Sequence, residues 1–150
     1  MKGSLLFLLI CACDSNSDLK YNEASSELGD SEEFQTTMEL SDNQLAFEVV
    51  DDSTTLNKLL TVTNIGENPL EIDRIDITNS GTGIFYVDET DYQELLIEIE
   101  SSIEVMVIMS GLEEIPTEAI WGELRIKSND QENPDQRIPL CAYPSGGDCS

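Results

Sequence analysis

From residue 44 onward the apolar side chains recur at every second position, in short runs separated by turn residues. A period of two is the mark of extended chain, because successive side chains of a strand point to opposite faces. Leu45, Phe47 and Val49 form one such face with Glu48 on the other, and Leu60, Val62 and Asn64 repeat the pattern before the turn Asn64-Ile65-Gly66-Glu67-Asn68-Pro69. Over residues 70–77 the apolar parity slips between Ile72 and Ile75, which predicts a bulge near Asp73-Arg74. Phe85 with Val87, then Leu95, Ile97 and Ile99 against Glu98 and Glu100, then Ile103, Val105, Val107 and Met109 continue the series. Leu124 and Ile126 alternate with Glu123, Arg125 and Lys127, and Ile138 and Leu140 close it. Residues 91–100 could also be read as a short helix, but the alternation favours strand. Seven to eight strands with no amphipathic helix predict an all-β fold, an antiparallel β-sandwich.

The front of the chain has no such pattern. Met1-Lys2-Gly3 and the run Leu5 to Ile10 place one positive charge before an apolar stretch, the order of a secretory signal. The stretch is far shorter than the roughly 20 apolar residues of a membrane-spanning helix. Ile10-Cys11-Ala12-Cys13 resembles the lipobox of bacterial lipoproteins, with an aliphatic residue three positions before the cysteine and a small one immediately before it. That resemblance implies cleavage after Ala12 and acylation of Cys13, with Cys11 leaving in the signal. Its departures are a brief apolar run and a cysteine inside the box. More than one acyl chain converts marginal membrane affinity into stable anchoring.

Residues 14–42 are rich in acids and serine, with few aromatics, and cannot bury enough surface to offset the entropy of ordering. They are expected to form an extended, self-repelling tether. The predicted organisation is therefore a signal peptide over 1–12, a lipid-anchored tether over 13–42, a sandwich over 43–144 and a tail over 145–150. With 31 acidic against 7 basic residues and a net charge of −24, the chain repels both nucleic-acid phosphate and anionic lipid. Membrane attachment then requires a covalent or apolar device, and the front of the chain, with Cys13, offers one. The expected location is the bacterial cell envelope, outer membrane or cell surface first. Asp14 leaves the inner membrane open, since enteric bacteria tend to retain lipoproteins there when aspartate follows the anchor.

Leu45-Ala46-Phe47, residues 60–70, Phe85-Tyr86-Val87, residues 122–130 and Ile138-Pro139-Leu140 together resemble the ASH and hydin-type immunoglobulin-like domains, known in bacteria as choice-of-anchor D repeats. The resemblance covers about two thirds of the chain and is most specific over Gly122 to Asp130. It departs at Glu100-Ser101-Ser102, where a Pro-Gly turn is usual, and at Ile108-Met109-Ser110, which replaces a Phe-x-Pro ending. It implies an immunoglobulin-like sandwich that packs against other proteins, without enzymatic activity or cofactor.

Once Cys11 is removed and Cys13 acylated, Cys141 and Cys149 are the remaining thiols, and in an exported protein they are expected to form a disulfide. The chain has no histidine, which removes the common nucleophilic triads, and no spacing singles out a catalytic carboxylate pair. Acidic loops containing Asp88, Asp91 and Asp130 offer oxygen ligands, but none has the spacing of a known calcium loop, so no metal site is assigned. Trp121 has the parity opposite to Leu124 and Ile126 and is a candidate interaction residue. The expected function is a non-enzymatic, envelope-anchored domain that binds another protein, with a calcium-dependent adhesion module as the alternative. No nucleic-acid or small-molecule partner is expected.

Overall fold

The computed structural model describes residues 35–88 and 92–150. The signal peptide, Cys13, the tether as far as residue 34, and Asp91 lie outside the described residues. Nine strands follow in chain order: β1 (Met38–Leu40), β2 (Leu45–Val49), β3 (Leu56–Asn64), β4 (Leu70–Asn79), β5 (Phe85–Val87), β6 (Gln93–Ile97), β7 (Ser102–Met109), β8 (Ile120–Ser128) and β9 (Asp135–Pro144). They form a four-stranded sheet ordered β1-β3-β7-β5 and a five-stranded sheet ordered β2-β9-β8-β4-β6, an immunoglobulin-like sandwich.

The inward parity of both sheets supplies the core, because each buried face removes a row of branched side chains from water. Leu60, Val62, Val105, Val107 and Met109 from the smaller sheet meet Phe47, Leu70, Ile72, Leu124, Ile126, Ile138 and Leu140 from the larger, all essentially inaccessible. The Phe47 and Phe85 rings lie 5.6 Å apart. Gly122 is required where β8 passes the Phe85 ring: a Cβ there would come within 2.5 Å of the ring and 2.8 Å of the Asn79 carbonyl oxygen.

Four features differ from the sequence reading. There are nine strands, because the three-residue β1 is too short to show a period, and β2 pairs with β9 in parallel, from Leu45 beside Leu140 to Val49 beside Pro144. Residues 35–42, expected in the tether, belong to the sandwich: β1 pairs antiparallel with β3, and the chain then crosses to the other sheet as β2. Strand β6 ends at Ile97, so Ile99 is exposed instead of continuing the inward face. The bulge predicted near Asp73-Arg74 is present as a register shift between Ile72 and Arg74. The Ile75 amide donates to the Tyr92 carbonyl, and the Tyr92 hydroxyl accepts from the Met106 amide at 3.4 Å. Tyr92 thus ties β4 in one sheet to β7 in the other.

Two buried polar side chains organise the loops. Asn64, at the end of β3, donates to the Asn68 and Ile97 carbonyls at 2.8 and 3.0 Å, and its Oδ1 accepts from the Gly66 amide at 2.9 Å. Asp130, in the β8–β9 turn, accepts from the amides of Met38 at 2.5 Å, Glu132 at 2.8 Å and Asn133 at 2.7 Å. One carboxylate therefore shapes a hairpin turn and holds β1 against it.

Cys141 is bonded to Cys149, and although its parity faces outward on β9 it is fully buried. The tail is thereby looped back to the last strand. Replacing both cysteines with serine is expected to cost about 2–3 kcal/mol by the chain-entropy estimate for so short a loop. Chemical unfolding with and without reductant measures it; a reducing-agent effect below about 0.5 kcal/mol would contradict the estimate.

Candidate interaction surface

The outer faces of the two sheets are chemically unlike. On the five-stranded sheet, Arg74, Arg125, Lys127 and Arg137 stand on outward positions among acids. Arg125 makes a two-pronged contact to Asp135, with Nε and Nη2 each 2.6 Å from a carboxylate oxygen. Arg137 reaches Glu123 at 2.9 Å, and the Thr78 hydroxyl donates to the same Glu123 oxygen at 2.6 Å. Hydrogen bonding from Arg125 lowers the Asp135 carboxyl below its ordinary value, and the same bond raises Arg125. Since the folded state favours the ionised Asp135, its stabilisation is full above the unfolded aspartate value near pH ~4 and is lost on further acidification. The melting-temperature difference between the natural chain and Asp135→Asn should therefore shrink as pH falls below ~4; a difference that stays constant would contradict this pairing.

Trp121 lies at the end of this charged face, 42% exposed, beside Cys141 in the β8–β9 register. Its outward position agrees with its parity.

The outer face of the four-stranded sheet carries an apolar stripe. Register places Leu59 of β3 opposite Met106 of β7, and Ile108 of β7 opposite Tyr86 of β5. Met106 and Ile108 are two positions apart on one strand and share a face. Leu59 and Tyr86 are 48% and 42% exposed, with Met106 and Ile108 half-buried between them. Asn57, Thr61 and Thr63 surround the stripe on β3, and Glu104 bounds it on β7. The sequence reading did not pick out these residues. Their signal is the run Ile103 to Met109, where apolar residues occupy both parities of β7, and the doublets Leu59-Leu60 and Tyr86-Val87 beside it. A strand apolar on both faces needs a cover on both.

Of the acids considered as metal ligands, Asp130 has its two oxygens committed to three backbone amides. Asp88 is exposed just beyond β5, and its amide donates to the Met106 carbonyl. Asp91 falls outside the described residues. Among the described residues no three acid or cysteine side chains gather as a metal site would require.

No protein-family model matches the chain, and no curated protein matches it in sequence. Solved structures do match in three dimensions. A protein of unknown function from Porphyromonas gingivalis aligns with a TM-score of 0.57 at 19% identity, over 73% of this chain and 47% of that one. The PapD-like domain 7 of human CEP192, an ASH domain, aligns at 0.52 and 13% identity, over 76% of this chain and 89% of that domain. The fold is that of a PapD-like sandwich. The Escherichia coli chaperone DraB aligns at 0.53 and 13% identity, over 76% of this chain and 58% of its own. The chain spans about half the length of the first and the last of these proteins. Its apolar stripe lies on the sheet made by β1, β3, β7 and β5, and its charged network on the other.

Proposed function

We propose that this chain is an envelope-anchored protein-interaction domain: lipid on Cys13 holds it at a bacterial membrane, the residues up to 34 lift it from the headgroups, and a partner protein docks on the outer face of the four-stranded sheet. The observation that carries this reading is the stripe Leu59, Met106, Ile108 and Tyr86, which register makes contiguous across three strands of one outer face, whereas Val50, Ile65, Leu96, Ile115 and Trp121 are exposed elsewhere. Contiguous apolar residues with a polar rim form the buried centre of protein interfaces, where aromatic side chains dominate the binding energy. The likeness in fold to a PapD-like ASH domain and to bacterial chaperones, one of them solved in complex with a pilin, fits such a role.

Two measurements test the two halves. Mass spectrometry of the membrane fraction should find an acylated peptide beginning at Cys13; material still beginning at Met1 in the cell interior would contradict the anchor. Crosslinking and co-purification with the Tyr86→Glu variant should recover at least about tenfold less of whatever partner the natural chain captures, with the melting temperature little changed because the side chain points outward. Equal recovery would contradict the docking face.

A further inference from the structure

Strand β3 is nine residues long, and β1 covers only its far end. The ladder with β1 pairs Met38 with Asn64, Glu39 with Thr63 and Leu40 with Val62. It closes where the Ser41 amide donates to the Thr61 carbonyl and the Ser41 hydroxyl accepts from the Thr61 amide, both at 3.0 Å. The chain then leaves for the other sheet. Residues of a strand alternate the side to which their amide and carbonyl point. Thr61 points to the β1 flank and Asn64 points to the opposite one, toward the Ser101 carbonyl and the Glu100 amide. By that alternation, Asn57 and Leu59 turn their amides and carbonyls to the flank that β1 vacates. Among the described residues no strand pairs there: β3 has β7 on one side and the three residues of β1 on the other. Leu56 is half-buried, and Asn57, Lys58 and Leu59 are exposed.

Lys58 says what the flank would accept. It has the inward parity of Leu60 and Val62, and its Nζ sits 6.0 Å from the centre of the Phe47 ring, at the open rim of the core. Among the described residues Arg74, Arg125 and Arg137 are each in an ion pair, whereas Lys58 on this edge, like Lys127 on the other sheet, is in none, in a chain with 31 acids. An inward-pointing charge on an edge deters indiscriminate strand pairing. The same charge rewards a strand that brings a carboxylate to the facing position, since opposite charges directly across a strand pair attract and like charges repel.

We infer that the flank of β3 from Asn57 to Leu59 accepts an extended segment of another polypeptide, antiparallel to β3 in line with β1, with a carboxylate opposite Lys58 and an apolar side chain beside Leu59. The backbone of the segment hydrogen-bonds to Asn57 and Leu59, and alternate side chains supply specificity. Because Leu59 begins the stripe that ends at Tyr86, a segment on this edge is continuous with a partner lying on the outer face. The inference rests on the reading of the four-stranded sheet as the interaction surface and names the chemistry of what it binds.

The test uses the full chain and a short acetylated peptide that alternates valine and threonine around one central glutamate, with a second peptide carrying lysine at that centre. Hydrogen exchange followed by mass spectrometry should show slowed exchange at Asn57 and Leu59 on adding the glutamate peptide. It should bind roughly fivefold more tightly than the lysine peptide, and Lys58→Glu should invert that order. Equal binding of the two peptides, absence of protection at these amides, or amides already protected without peptide because the chain's own residues up to 34 fill the flank would each overturn the inference. Protection failing while Tyr86→Glu still releases the partner rejects the edge and keeps the face. Protection succeeding while Tyr86→Glu releases nothing rejects the face and keeps the edge.

Discussion

Replacing Asp130 with alanine is expected to destabilise the domain by about 3 kcal/mol and to lower its melting temperature by roughly 10 °C or more. The side chain is 2% exposed, and it receives the amides of Met38, Glu132 and Asn133. Hydrogen bonds to an ionised acceptor contribute more than neutral ones, and their loss leaves buried donors unsatisfied. Asp130→Asn keeps one carbonyl oxygen and should fall between the natural chain and the alanine variant. Added calcium should leave the melting temperature of the natural chain unchanged, since the carboxylate is already occupied. An alanine variant as stable as the parent would show that β1 is held by its ladder with β3 alone.

The second large effect is expected at Asn64, which is fully buried. Asn64→Leu keeps the branched shape in a larger side chain but removes the bonds to the Asn68 and Ile97 carbonyls and the Gly66 amide, at an expected cost of about 3 kcal/mol. Asn64→Asp should be at least as damaging at neutral pH, because a carboxylate would face two carbonyl oxygens that asparagine's amide satisfies. Burial and those oxygens favour the protonated acid in the folded state, so its folded pKa lies above its unfolded one. The folded state then binds more protons, and the aspartate variant should gain stability relative to the leucine variant as pH falls. Urea titrations at neutral and mildly acidic pH measure both; an aspartate variant that loses ground to leucine on acidification would contradict this account of the site.

The interior of the fold was written in the alternation. Leu45, Phe47, Val49, Leu60, Val62, Leu124, Ile126, Ile138 and Leu140 are buried where their parity placed them, and the slip at Ile72 to Ile75 is a bulge. What the pattern did not carry depends on partners distant in sequence. The three residues of β1 are fixed by Asp130, far along the chain, and no local period marks them. The parallel pairing of β2 with β9 reflects where the crossing chain lands, which alternation cannot encode because the side-chain period is the same in parallel and antiparallel strands. The candidate surface was less legible than the core. Trp121 stood out by its parity opposite to Leu124 and Ile126, whereas the apolar stripe joins residues from three strands, and only register brings Leu59, Met106, Ile108 and Tyr86 together.

The disulfide was legible for a different reason. Cys141 and Cys149 are the two thiols left once Cys11 and Cys13 are assigned to the signal and the lipid, and the structure joins them. Cys13 lies outside the described residues, and its acylation belongs to the proposal.

The most direct test of the docking face places a photoreactive residue at position 86 in one chain and at position 121 in another, each expressed in its native cell and illuminated. The account predicts a discrete crosslinked protein from position 86 and none from position 121. A product from position 121 with none from position 86 would contradict it and move the interface to the charged sheet.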